Sequence, residues 1–253
     1  MRRRRFIGLV AAGAVGWLAA SGPRMAGPVK GPVTGTKSPG AAGKGGSLMA
    51  YEVKAALKPA TLQGISENQI AQHWKLYEGY VAQTNALRDE LAALRKEGKG
   101  ATFAYADRRR RFGFEYNGMV LHEYYFGNLK AGAPALANES PLKKSLAEQF
   151  GSFDAFQEDF LKTGASRSIG WAILYFDPAM GIFNNHFIQL HEEGNPAGFI
   201  PVLVMDAWEH AYMVDFGATG RPDYMKAFWA NVNWATVEKR YADAREGKIP
   251  ARY

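Results

Sequence analysis

Cysteine is missing altogether from the 253 residues. That excludes disulfides, thiolate nucleophiles, thiolate-bound iron–sulfur clusters and cysteine-based structural zinc. Histidine is scarce, at five residues, so any metal site has few nitrogen donors to draw on. Asp and Glu are absent from residues 1–50, which hold eight basic side chains: Arg2, Arg3, Arg4, Arg5, Arg24, Lys30, Lys37 and Lys44. Residues 51–253 carry 23 basic and 24 acidic groups, a formal net of −1. The overall +7 therefore belongs to the first fifty residues. The remainder has no broad positive field for nucleic acid, and none for steering an anion over long range.

Those first fifty residues read as an export signal followed by a linker. Arg2–Arg5 precede an apolar, Ala/Gly-rich run from Phe6 to Ala20, shorter than the ~20 residues a membrane-spanning helix needs. Arg3, Arg4, Phe6 and Ile7 resemble a twin-arginine signal, although the usual preceding Ser or Thr is missing. Ala19-Ala20-Ser21 is the nearest candidate for cleavage. Residues 22–49 are rich in Gly, Pro, Ala and Lys, with little to bury. The expectation is a periplasmic protein that meets the membrane only during export.

Residues 51–135 read as a helical hairpin. Ser66 is placed as an N-cap, with Gln69 completing a capping box and Ile65 stapling onto Ile70. Ile70, His73, Tyr77, Tyr80, Val81, Thr84, Leu87 and Leu91 then recur at three and four, one stripe of a long helix ending near Gly98. His73 and Tyr80, seven residues apart, project within about 20° of each other. A second helix is predicted from Thr102 to Leu129, carrying Arg108–Arg111 as a solvated face and His122 on an apolar one. An antiparallel pairing brings His73 and His122 within reach of each other.

Residues 136–253 read as α+β. Helices are predicted over 141–164, with Phe150-Gly151-Ser152-Phe153 inside them or at a junction, and from Arg221 to Tyr241. Between lie three strand candidates, 170–176, 182–191 and 199–205, forming a small antiparallel sheet flanked by helices. Asp206 closes the third strand, and His210 follows it by four in a helical run. In the second strand, His186 and His191 are expected to point to opposite faces. A lone histidine on an apolar helix face is usually core, and Asp-x-x-x-His is common by chance. Taken together, however, His73, His122, Asp206 and His210 offer three imidazoles and one carboxylate, a set suited to iron, manganese or zinc with coordination room left open.

The run Asp206-Ala207-Trp208-Glu209-His210-Ala211-Tyr212, then Arg221-Pro222-Asp223-Tyr224, Ala227-Phe228-Trp229 and Val232-Asn233-Trp234, resembles the iron/manganese superoxide dismutases. So do Phe150–Phe153, Gly170-Trp171-Ala172 and His122 through Leu129, and, before them, His73 with Lys75, Tyr77, Gly79, Tyr80, Val81 and Asn85. The resemblance covers about residues 63–241. It implies a helical-hairpin domain and an α+β domain with one Fe or Mn ion between them, held by His73, His122, Asp206 and His210. It makes Tyr80 a gateway residue beside bound solvent and Trp171 part of an aromatic wall. It sends Glu209 to a metal-ligating histidine of the partner subunit, with Tyr212 in the same interface, in a homodimer or dimer of dimers. The substrate implied is superoxide.

Three departures stand against the family pattern. One residue fewer separates the first ligand from the gateway tyrosine, so a gapless register puts Gln72 where His73 is expected. Gly118 occupies the iron-type glutamine position, and His191 occupies the manganese-type one, where with Tyr80 it is expected to hold the bound water. Ile173 replaces a commonly aromatic residue. Two other readings follow. One is a non-catalytic binding or scaffolding relative with an impaired site, and the other is a different metal-dependent oxidoreductase or hydrolase. Read by pattern alone, Tyr80 and Trp171 are core aromatics, Glu209 is an exposed helix residue, and His186 sits on a strand surface.

Overall fold

The structure, a computed structural model, describes residues 49–248 with 250 and 252; the expected export signal and nearly all of the expected linker lie outside these. The element order is α1 (Glu67–Lys96), α2 (Phe103–Gly127), α3 (Pro141–Phe150), α4 (Phe153–Gly164), β1 (Trp171–Asp177), β2 (Ile182–Ile188), β3 (Ile200–Asp206), α5 (Met213–Phe216), α6 (Arg221–Ala230) and α7 (Trp234–Arg245). Helices α1 and α2 pack as a hairpin, and the three strands form one antiparallel sheet in the order β2-β1-β3. This is the predicted α+β architecture. Among the described residues no helix is long and apolar enough to cross a membrane.

The apolar stripe of α1 turns inward as its spacing requires. Ile70, His73, Tyr77, Val81, Thr84, Leu87 and Leu91 are buried, joined by Trp74, while Tyr80 is half-buried. Buried side chains of both helices and of the sheet form one continuous apolar core. Each large member of it contributes about 1.5–3 kcal/mol by leaving water. Strand β1 is buried on both faces from Trp171 to Phe176, because α4 covers it and the hairpin lies against its neighbour β3.

Four local expectations are corrected. Ser66 does cap α1, its Oγ accepting from Gln69 N at 3.0 Å, but Gln69 does not close the box. Asp215 takes that place, its carboxylate accepting from Ser66 N at 2.6 Å and from Ser66 Oγ at 2.5 Å. The Gln69 side chain instead donates to His210 O at 2.7 Å and accepts from Val214 N at 3.0 Å. Strand β2 stops at Ile188, so His191 lies in the following loop and the opposite-face argument does not apply to it. The segment after Asp206 is a 3-10 turn, Glu209–Ala211, and then the single turn of α5. Finally, the predicted helix 221–241 breaks at Asn231–Asn233. Asn231 is buried there and binds Gln63 through its side-chain amide in both directions, at 2.8 Å each.

Candidate metal centre

The sheet register builds one wall of the site. Trp171 and Asp206 are paired residues at the same end of β1 and β3, so their side chains share a face. Gly170 makes the approach possible. Its φ is +143°, and a Cβ there would lie 2.0 Å from Ile188 O. Beyond β3, Asp206 Oδ1 accepts from Trp208 N at 2.8 Å, an Asx turn that bends the chain back over the carboxylate. Oδ2 is left facing inward. The turn carries His210 round so that its Nε2 lies 3.0 Å from that oxygen.

The hairpin supplies the other two rings. His73 Nε2 lies 3.0 Å from Asp206 Oδ2, and His122 Nε2 lies 3.7 Å from it. One atom from each of the four side chains falls within 4.8 Å of every other. Gln72 points away, its amide bonded to Asn68 in solvent at 3.2 Å. Helix α1 is uninterrupted between His73 and Tyr80, so the residue missing against the family pattern leaves no bulge behind.

Protonation follows from burial and partners. His122 Nδ1 donates to Gly118 O at 2.6 Å, which leaves the lone pair on Nε2. That Nε2 is buried with no hydrogen-bond partner among the described residues. Burial lowers the pKa of His73 and pushes that of His122 well below its ordinary value. Burial alone would raise Asp206, but the imidazoles of His210 and His73 hold it below the usual carboxylate range. The cluster thus offers an ionised carboxylate beside nitrogen lone pairs. Metal–nitrogen and metal–oxygen bonds of ~2.0–2.1 Å at angles of about 90–120° place neighbouring donors ~2.9–3.6 Å apart. The spacings from Oδ2 match that range closely, and an orphaned inward lone pair is what a cation would satisfy. The residues fit Fe or Mn.

A second layer surrounds these four. Trp171 Nε1 donates to His191 Nδ1 at 3.0 Å. Indole nitrogen can only donate, so the neutral His191 ring carries its proton on Nε2 and donates to Tyr80 Oη at 2.8 Å. Burial lowers the His191 pKa from 6.5 to about 4, which keeps it neutral. Burial, with Asp206 next, raises the Tyr80 phenol, so it stays protonated with its own O–H free to donate. Gly118 is the space that admits Tyr80, since a Cβ there would lie 2.6 Å from the tyrosine ring. His186 takes no part and binds Gly194 O at 3.0 Å.

Several contributors have no role in the sequence reading. Phe114 packs 4.4 Å from the His191 ring, centroid to centroid. Trp208, quoted there only as part of a motif, lies 4.9 Å from His191 and stacks on His210 at 5.8 Å. Tyr224 Oη donates to Asp206 O at 2.8 Å. Glu209 is exposed and its carboxylate makes no hydrogen bond or ion pair among the described residues, while Tyr212 is buried beneath the Arg221 guanidinium, 5.6 Å from its ring. Both line a groove of about 540 Å³ with Arg167, Ser168 and Arg221.

A helical hairpin set against a three-stranded α+β half, with a His₃Asp cluster at their junction, defines a mononuclear metalloprotein. Residues 138–240 match the family described as iron/manganese superoxide dismutases, C-terminal domain. Similar proteins include a superoxide dismutase [Fe] of Aquifex pyrophilus, 39% identical over 198 residues, spanning 76% of this chain and 92% of the relative. A superoxide dismutase [Fe] of Tetrahymena pyriformis is 35% identical over 184 residues, 69% of this chain and 90% of the relative. A superoxide dismutase [Mn] 1 of Haloferax volcanii is 32% identical over 183 residues, 72% and 89%. The chain belongs to the iron/manganese superoxide dismutase family.

Proposed function

We propose that the chain is a superoxide dismutase: two superoxide ions and two protons give one O₂ and one H₂O₂. A bound iron or manganese ion supplies one-electron cycling between its two-plus and three-plus states. His73, His122 and His210 would hold it through Nε2 and Asp206 through Oδ2. The observation that carries this reading is the buried, unpartnered His122 Nε2 aimed at the same carboxylate oxygen as two other imidazoles.

The surrounding residues supply position and protons. Asp206 contributes the negative charge that favours the more highly charged ion. Tyr224 and the Asx turn fix its orientation. Tyr80 is the half-exposed member of the Trp171–His191–Tyr80 chain, so protons reach the cluster through its hydroxyl. His191 orients that hydroxyl by occupying one of its lone pairs. The aromatic rings of Phe114, Trp171 and Trp208 exclude bulk water and larger oxidants.

The scaffold reading drew on the Gln72 register, and His73, not Gln72, lies in the cluster. A test is superoxide disappearance by stopped flow on Fe- or Mn-loaded protein. Decay should be first order in protein and should be lost in Asp206→Ala. Loaded protein that consumes no superoxide would return the site to a different metal chemistry or to a scaffold.

We infer two further properties. The chain forms a homodimer or dimer of dimers through the groove holding Glu209 and Tyr212, which the unpaired Glu209 carboxylate supports. It acts in the periplasm after export, which Arg2–Arg5 and the apolar run to Ala20 support.

A further inference from the structure

We propose that the loop end of the helical hairpin, beside the turn that joins α1 to α2, carries a second site, an anion pocket for a phosphate group built by Arg88, Arg95 and Arg109. These three guanidiniums line one pocket of about 130 Å³ with Tyr51, Leu91 and Phe112. Arg88 and Arg95 are seven residues apart on α1, so they share a face to within about 20°, and Leu91 lies between them as a buried floor. Arg109 and Phe112 come from the facing side of α2. Along α1 the pocket is fifteen residues from His73, about 22 Å at 1.5 Å per residue. It is separate from the metal centre.

No carboxylate lines this pocket, and none of the three arginines makes an ion pair among the described residues. The nearby acids are engaged elsewhere. Glu90 binds Arg108 at 2.8 Å, Asp107 binds Arg108 and Arg110, and Glu115 binds Arg111. Asp89 is one residue from Arg88, about 100° round the helix. Within the run Arg108–Arg111, Arg109 alone therefore keeps an uncompensated charge. Residues 1–50 contain no Asp or Glu, so they offer the pocket no carboxylate side chain.

Two of the guanidiniums are held in place before any anion arrives. Arg88 lies 4.8 Å from the Tyr51 ring and donates to Met49 O at 2.9 Å. Tyr51 is itself clamped by Asn85, which accepts from its N–H at 2.9 Å and donates to its carbonyl at 2.8 Å. Arg109 lies 5.5 Å from the Tyr105 ring, its Nε donating to Tyr105 Oη at 3.2 Å. Arg95 is exposed and free to close on a ligand. Guanidinium forks match the geometry of phosphate oxygens, and ordering them in advance lowers the cost of binding. The size sets the ligand class: the pocket is well below the ~300–1,000 Å³ of sites for whole cofactors, but it takes one phosphate group, free or on a lipid headgroup.

The test titrates inorganic phosphate calorimetrically into the full chain and into Arg95→Gln/Arg109→Gln at low ionic strength. It also sediments both proteins with phosphatidylglycerol-containing and with purely phosphatidylcholine vesicles. The two proteins share residues 1–50, so their difference isolates the pocket, and equal superoxide turnover shows the variant is folded. Phosphate binding that weakens at least tenfold in the variant supports a soluble phosphate ligand. Greater sedimentation of the parent protein with the anionic vesicles only, reversed by free phosphate, supports a headgroup. Equal behaviour of the two proteins in both arms overturns the proposal.

Discussion

His191 spends both ring nitrogens inside the protein, accepting from Trp171 and donating to Tyr80. His191→Ala removes the group that orients the Tyr80 hydroxyl without touching a metal ligand. The expected result is an unchanged metal content with turnover lowered about 10–100-fold, the usual cost of losing an outer-shell partner. Turnover equal to the parent protein with the same metal would remove His191 from the mechanism. The same residue gives a stability signature. Its folded pKa is depressed to about 4 from 6.5, so the unfolded chain binds the proton more readily between those values. The stabilisation is complete above pH 6.5 and is lost as pH falls towards 4. His210 and Arg111 push the same way as burial, and Asp206 opposes them. Denaturant midpoints across that range should fall more steeply in the parent than in His191→Gln, which cannot titrate; parallel curves would contradict this.

The N-terminus of α1 ties the hairpin to the turn that carries His210. Ser66 caps Gln69 N and donates its own N–H and hydroxyl to Asp215, and the Gln69 side chain holds the backbone of His210 and Val214. Ser66→Ala or Asp215→Ala should each cost about 1 kcal/mol. The double variant should cost less than the sum, because the two changes break the same bonds. Additive shifts of the denaturant midpoint would show that the two residues act independently. Ser66 was legible as a cap because that signature is local. Its acidic partner was not, because Asp215 lies 149 residues away and no periodicity reports it. The helical hairpin, the three strands and their antiparallel pairing follow from apolar spacing and turn residues. The break at Asn231–Asn233 does not, because Asn231 looks like any helix residue until Gln63 arrives to bind it. Likewise, His191 was marked by family position, but its hydrogen bonds depend on β2 ending at Ile188 and releasing the chain into a loop.

The proposed association of copies would bear on the metal centre, because Glu209 neighbours a metal-cluster histidine and its carboxylate faces solvent without a partner among the described residues. Sedimentation velocity on the full chain should give a dimer or a dimer of dimers, and Glu209→Ala should shift it towards smaller species. A monomer at micromolar concentration, unaffected by that substitution, would place the groove outside any interface. The proposed leader, phosphate pocket and interface all concern where the protein would work and what it would meet. The reaction itself depends on four side chains, drawn from three distant stretches of chain, closing on one ion.

The most direct measurement of that closure is anomalous diffraction at the iron and manganese edges from crystals of the loaded protein. The account predicts one ion per chain, bonded to Nε2 of His73, His122 and His210 and to Oδ2 of Asp206, with Gln72 outside its reach. An ion bound elsewhere, or ligated by Gln72 in place of His73, would contradict it.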